Sequence, residues 1–418
     1  RIPYAHQKDV NEQIDEMLDN GIIRKSSSPW NSPTILVKKK DGSHRFVCDF
    51  RSLNDVTVMD TYPLPHIADV IDKMEGSCYW TTLDAASAYW SIPVEEEDKE
   101  KTSFSLPRGK FEFNVTPFGL CNAGASYQRL MDMCLSGLPM EHVLAYMDDI
   151  VVFSKDFDTH CEILERVLDQ LIEFQIELKM SKCKFAYDSI DFLGFNLSTD
   201  GIKPQSQLTE AIRDFKRPET KKEIMRFLGM VNFYRNFIPK CAEICKPLNS
   251  LTGNNVPFDW TNDCESAFEQ LKSQLSDYPV LAFPKLNETF YVEVDASNVA
   301  VGGVLSQSNG DGEKQPVAYF SKTLQKTQRN WSAHSKEAYA VIMAVRQWHV
   351  YLMGREFVIV TDHNPLVHLR KTKDPRGKIA RWINELEEYK YRIEYRPGKM
   401  NNVADALSRD QYAKEIPI

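Results

Sequence analysis

The stretch LAYMDDIVVFS, Leu144 to Ser154, limits what this chain can fold into more than any other. Two short apolar runs rich in β-branched and aromatic residues flank Asp148 and Asp149, which predicts two strands joined by a tight turn carrying both acids. Adjacent carboxylates repel each other, so a rigid hairpin presenting two together gains most when a divalent cation neutralises them. Asp is also a common turn residue, and a solvated Asp-Asp tip is the alternative reading of the same pattern.

A second stretch bears on that choice. In YWTTLDAASAYWSIPV, Tyr79 to Val94, an alternating run ends at Asp84 and passes into the helix-prone Ala85-Ala86-Ser87-Ala88 that leads to Tyr89. An acid at a strand end is well placed to face the hairpin. Three carboxylates from two elements can hold two Mg²⁺ ions about 3.5–4 Å apart, the arrangement used for in-line phosphoryl transfer.

Length suggests roughly two to four packed units. No apolar run approaches the eighteen or so residues of a membrane span, and no signal-peptide pattern opens the chain, which begins at Arg1 as a fragment or a piece of a longer polyprotein would. Nine scattered cysteines without a C-x-x-C pair signal neither a disulfide framework nor a zinc knuckle. Cys241 and Cys245 read as packing residues on a helix. The net charge of −8 opposes phosphate binding if taken whole, but its distribution is uneven. Basic residues cluster at Lys38-Lys39-Lys40 and across Lys216, Arg217, Lys221, Lys222, Arg226 and Arg235, whereas Glu95 to Glu100 is acidic. A solvated face is the plain alternative for each run.

The segments LDAASAY, VTPFGLCNAGASYQRLMD, YMDDIVVFS, FLGF, TDH and NNVADALSR, in this order, resemble the reverse transcriptases of long-terminal-repeat retrotransposons, most closely the gypsy-like group. The resemblance covers nearly the whole chain. It implies an α+β polymerase right hand of fingers, palm and thumb, followed by an α/β RNase H-like domain. The corresponding expectation is fingers and palm over residues 1–200, a helical thumb over 201–251, a tether with one helix over 252–286, the RNase H domain over 287–410 and a tail over 411–418. The implied ligands are dNTPs, template RNA and DNA, RNA/DNA hybrid, a tRNA primer, and two Mg²⁺ per active site, with Mn²⁺ as a substitute. The implied setting is cytoplasmic, within virus-like particles, without a membrane.

Taken in order, QKDVNEQIDEMLDN predicts an amphipathic helix with Val10, Ile14 and Leu18 inward, stopping at Gly21. Thr34 to Lys38 and His44 to Phe50 predict strands around an Asp41-Gly42 turn, whose basic tip suits a triphosphate. By resemblance, Arg45 grips the incoming nucleotide's phosphates, with Lys39 as the corresponding lysine across a turn one residue shorter than in retroviral relatives. Lys101 to Val115 predicts another hairpin, followed by a helix from about Ala125 with Gln128 on its first turn. The resemblance gives Gln128 a contact with the nucleotide and makes Tyr89, five residues after Asp84, the steric gate against a ribose 2′-OH. Leu164, Val167, Leu168, Leu171 and Ile172 form an inward helical stripe. Phe192, Leu193 and Gly194 match the primer grip, and Phe227, Leu228 and Val231 to Tyr234 the thumb helix that tracks a hybrid.

Thr261 caps a further helix, and Pro279 and Pro284 mark a domain boundary. Beyond it, Asp295, Glu337, Asp362 and Asp405 fall in successive elements. In this order they resemble the four carboxylates with which RNase H holds two Mg²⁺. The loop from Arg396 to Asp405 lacks the His that many RNase H domains carry, as it does in gypsy-like members. The expected activity is RNA- and DNA-dependent DNA synthesis with RNase H cleavage. Rival readings are a pararetroviral or retroviral enzyme, the latter opposed by the missing connection domain, and a domesticated inactive relic, opposed by intact acids at all seven positions. A homodimer on substrate is expected because one short tether separates the thumb from the RNase H domain.

Overall fold

The computed structural model describes residues 3, 6–38, 44–86, 88–309, 312–362 and 378–396, the side chains of Lys38, Arg45 and Ala88 excepted. The chain divides into two compact units, Arg1–Ile190 and Asp191–Ile418.

In the first unit, α1 (Gln7–Asp19) buries Val10, Ile14 and Met17. Gly21, at φ +68°, ends it, and the Ile22 N–H returns to the Met17 carbonyl at 2.9 Å. After β1 (Ile23–Lys25), the strands β2 (Thr34–Lys38) and β3 (His44–Cys48) pair antiparallel with Lys38 opposite His44. Lys39 and the Asp41-Gly42 turn lie outside the described residues. β4 (Tyr79–Asp84) follows, then β5 (Phe104–Leu106) and β6 (Gly109–Phe113), which turn through Pro107-Arg108 and complete a β1-β6-β5 sheet.

α2 (Ala123–Cys134) leads into β7 (Val143–Tyr146), β8 (Asp149–Ser154), α3 (Phe157–Glu173) and β9 (Lys184–Tyr187). The sheet order is β7-β8-β4-β9. Both helices cover one face of it, with Tyr127 and Met131 from α2 and Ile163, Val167 and Leu171 from α3 packed on Leu83, Ile150 and Val152. Ile172, expected inward, is 75% exposed, because the helix turns that position past the sheet edge.

The second unit begins within β10 (Ser189–Phe192), which pairs with β11 (Phe195–Ser198) and through it with β12 (Gly201–Pro204). Helices α4 (Ser206–Arg213), α5 (Lys221–Phe233), α6 (Cys241–Ile244), α7 (Lys246–Leu251) and α8 (Asn262–Gln274) follow. Thr261 caps α8 by accepting from the Cys264 N–H.

The remaining chain forms a five-stranded sheet of order β15-β14-β13-β16-β17 from β13 (Phe290–Ala296), β14 (Ala300–Ser308), β15 (Lys314–Thr323), β16 (Glu356–Thr361) and β17 (Lys390–Tyr395). Its first three strands are antiparallel and β13, β16 and β17 parallel. α9 (Ala333–Gln347) and α10 (Lys378–Leu386) pack on it.

Two of the expected boundaries have hydrogen bonds running across them. Residues 191–200 go with the second unit, because the Gly194 carbonyl accepts from the Gln205 N–H and, at 2.6 Å, from the Tyr234 hydroxyl. The Pro279–Pro284 stretch, expected to be a boundary, is tied on both sides. Leu281 exchanges backbone bonds with Ile202, and the Ala282 N–H donates to Pro316. Backbone groups taken from water need such partners, and the β12 and β15 edges provide them.

Candidate active sites

The antiparallel pairing of β4 with β8 places Asp84 directly opposite Asp149. The β7–β8 turn is Met147-Asp148, with Tyr146 opposite Asp149. Only Asp148 is therefore in the turn, and Asp149 opens the strand. Met147 holds φ at +53°, and its N–H donates to Gln128 Oε1 at 2.9 Å. Gln128 Nε2 donates to the Ala145 carbonyl at 3.1 Å and to Asp132 Oδ1 at 2.9 Å. The whole Gln128 side chain is buried and committed to holding the hairpin backbone. It departs from its expected place: α2 starts at Ala123, which puts Gln128 in the second turn, facing the sheet rather than a ligand.

The three carboxylates crowd one another. Loss of water around the Asp149 carboxyl raises its pKa above the ordinary aspartate value, and the charges of Asp148 and Asp84 raise it further, against a lowering by Lys182. Lys182 Nζ lies 2.7 Å from Asp84 Oδ2. Nothing in the lysine-rich LKMSKCK marks Lys182 in advance, since only the fold brings that loop back to Asp84. The donors are all hard oxygens whose mutual repulsion one lysine offsets only in part, so the set fits divalent cations of the Mg²⁺ type.

Asp84, Asp148, Lys182 and Tyr89 line one cleft of about 620 Å³. Tyr89 sits in a 3-10 turn (Ala88–Ser91) that follows β4. It packs edge-on against Phe118 and Tyr127 at 5.3 and 5.8 Å. Burial raises the pKa of its hydroxyl first, and the Asp148 charge second. Arg45 lies in β3, and Lys39 lies outside the described residues.

Phe192 ends β10, and Leu193 and Gly194, at φ +48° and +85°, form the two-residue turn to β11. A Cβ on Gly194 would meet the Phe233 ring at 2.9 Å, so only glycine fits.

Asp295 lies near the end of β13, Glu337 early in α9, and Asp362 just past β16, on the edge where the two parallel strands end. Asp405 lies outside the described residues. Burial, then Asp295 and Asp362, push the Glu337 carboxyl up to about 8. Asp295 is raised by burial and by Asp362, with Lys240 opposing. Glu337 Oε2 is buried with no hydrogen-bond partner among the described residues. An orphaned carboxylate oxygen among like charges fits a cation site. Lys240 and Glu243, from the start of α6, share a small cavity with Asp295. They are carried there by the docking of α6 on β15, in which the Ala242 N–H donates to Ser321 Oγ at 2.8 Å and Arg235 donates to the Ser321 carbonyl at 2.9 Å. Glu293, fully buried beside Asp295, pairs instead with Lys314 and, at 3.7 Å, Arg396.

Residues 37–197 match the family model described as reverse transcriptase (RNA-dependent DNA polymerase), and residues 285–389 match an RNase H-like domain found in reverse transcriptase. The chain carries a reverse transcriptase domain followed by an RNase H-like domain. It is 41% identical over 412 residues to the retrovirus-related Pol polyprotein from transposon 297 of Drosophila melanogaster, covering 97% of this chain and 38% of the polyprotein. Against that from transposon opus of the same fly it is 40% identical, covering 97% and 42%. The Tf2-3 polyprotein of Schizosaccharomyces pombe is 37% identical, covering 98% and 31%. The chain thus spans about a third to two fifths of the curated relatives it matches, which are polyproteins of long-terminal-repeat retrotransposons. Among solved structures, the fold is similar to a foamy viral protease-reverse transcriptase in complex with dsDNA, at TM-score 0.85 and 24% identity, covering 95% of this chain and 84% of that one. The same viral protein in complex with RNA/DNA hybrid gives 0.78 and 23%, covering 100% and 57%.

Proposed function

We propose that the chain is an RNA- and DNA-dependent DNA polymerase with RNase H activity, a piece of a gypsy-like retrotransposon Pol polyprotein. The observation that carries this is the direct opposition of Asp84 and Asp149, with Asp148 at the adjoining turn, beside a cleft that Asp84 and Asp148 line and that is large enough for a nucleotide.

Asp84, Asp148 and Asp149 would hold two Mg²⁺ ions, which lend charge neutralisation at the α-phosphate and a more acidic primer 3′-OH. The chain's own residues do the rest. The Gln128-braced turn fixes the carboxylates, and the Lys182 ammonium gives up Asp84 when a cation takes its place. The Tyr89 ring closes the side of the cleft where a ribose 2′-OH would lie. By resemblance to the family, Arg45 and Lys39 would bind the triphosphate. Phe192, Leu193 and Gly194 hold the primer end, a turn being suited to close backbone approach. In the RNase H-like domain, Asp295, Glu337, Asp362 and Asp405 form the second cation site, for hydrolysis of the RNA strand of a hybrid.

The viral structures of similar fold hold dsDNA and RNA/DNA hybrid, which supports nucleic-acid substrates here. The intact carboxylates favour an active enzyme over a relic, since a binding module has no use for two groups of mutually repelling acids. Extension of oligo(dT) on poly(rA) with dTTP and Mg²⁺ tests the reading. Template-dependent product that vanishes with EDTA supports it, and no product from folded protein overturns it.

A further inference from the structure

His44, the first residue of β3, lines the rim of the polymerase cleft, and across from it stand His6, just before α1, and Asp9 in that helix's first turn. The imidazole rings of His6 and His44 are 4.1 Å apart between centroids and tilted by 48°. His6 Nδ1 lies 4.0 Å from Asp9 Oδ2. One donor atom from each of the three residues lies within 4.8 Å of the others. A tetrahedral ion with bonds of about 2.0–2.1 Å sets its donors about 3.4 Å apart, so small side-chain rotations close the set around one ion.

The three donors stand on a braced scaffold. Gln13, one turn after Asp9, donates from Nε2 to the His44 carbonyl and accepts the Phe46 N–H on Oε1, both at 3.1 Å. Its amide thus behaves as a short stretch of strand beside β3. Beneath it, Val10, Ile14 and Met17 pack in one core with Phe46. Donors carried on a helix and a strand locked in this way keep their spacing without a ligand, the condition for a preorganised metal site.

We propose that His6, Asp9 and His44 bind one transition-metal ion of the zinc class, with a fourth position left to water. Two imidazole nitrogens and one carboxylate suit Zn²⁺ and disfavour Mg²⁺ and Ca²⁺, which take oxygen ligands. The ordinary alternative is a tilted histidine pair beside an acid, which needs no ion. The site differs in chemistry from both carboxylate clusters, and it would pin the β2–β3 hairpin to α1 at the position where the cleft opens.

Calorimetric titration of Zn²⁺ into the protein in millimolar Mg²⁺, which keeps the carboxylate clusters filled, measures it. The expected result is one tight ion per chain, weakened about 100-fold or more in both His6→Ala and His44→Ala, as for loss of a zinc ligand. Asp9→Asn, an exposed change that spares the fold, should weaken it by about 10-fold. Co²⁺ substituted at the site should give the visible absorption of a four-coordinate ion, lost in the same variants. A wild-type chain that takes up no zinc under these conditions, or zinc uptake unchanged in His6→Ala, His44→Ala and Asp9→Asn, would overturn the proposal. In the second case the zinc would be held by the thiols or the carboxylate clusters instead.

Discussion

Glu337 gives the residue scale its clearest test. With its folded-state pKa near 8, above the ordinary glutamate value of 4.5, the metal-free folded chain keeps a proton that the unfolded chain releases. Its contribution to stability is therefore present at low pH and declines as pH rises from about 4.5 to about 8, by an amount on the order of a few kcal/mol. In EDTA, the melting temperature should fall across that window, and Glu337→Gln should flatten the fall. An equal slope in the variant would mean that Glu337 is not the buried acid described. Tyr89→Ala should admit ribonucleotides, because it removes a repulsive group from the cleft. Single-nucleotide incorporation of rNTP against dNTP reads this out, and an unchanged ratio would leave Tyr89 as a core residue only. The approach of Asp84 to the Asp148-Asp149 pair was legible in sequence from a strand end and a turn. Asp295, Glu337, Asp362 and Asp405 were readable only through the resemblance, a lone acid in each element being a weak signal. Lys182, Lys240 and Glu293 were readable in neither way, since a single Lys or Glu has no pattern until the fold supplies its neighbours.

At the scale of elements, the β7–β8 hairpin depends on one amide. Gln128→Ala would strip partners from the Met147 N–H and the Ala145 carbonyl, at a cost of about 1–3 kcal/mol. DNA synthesis should drop while hybrid cleavage stays, and Gln128→Glu should not restore it, having no N–H for the carbonyl. Gly194→Ala combines a positive φ with a clash against Phe233 and should destabilise the second unit by about 1–3 kcal/mol in urea unfolding. Hydrophobic period made α1 and α8 readable within a residue or two, and in α3 it gave the buried stripe but not the ends of the helix. It misled at α5, where Phe227 and Val231, and Tyr234 just beyond it, expected on a hybrid, are buried. Phe227 packs 4.7 Å from Phe268 of α8. Met225 and Phe233 are the exposed apolar residues of that helix. Periodicity identifies a stripe, but not whether core or ligand covers it. The basic run shows the same limit. Arg217 lies over the Trp260 ring, Arg226 near Phe215, Lys221 on the Gly253 carbonyl and Arg235 on Ser321, so much of its charge is spent inside the second unit.

For the whole molecule, the order of polymerase and RNase H-like domains was readable, and the division at Ile190 was not, because hydrogen bonds from Tyr234 and Leu281 that decide it come from distant positions. Only α8 and short loops separate α7 from β13, too little for a further domain. We therefore propose one copy when free and two on an RNA/DNA hybrid, which light scattering with and without hybrid would distinguish. One chain per hybrid at full rates of both activities would count against it. The central claim is that one chain holds two independent cation-dependent sites. A hybrid labelled on both strands, followed for primer extension and RNA cleavage with wild type, Asp148→Asn and Glu337→Gln, tests it most directly. Asp148→Asn should lose extension by several orders of magnitude and keep cleavage, and Glu337→Gln should do the reverse. Loss of both activities in either folded variant would contradict it.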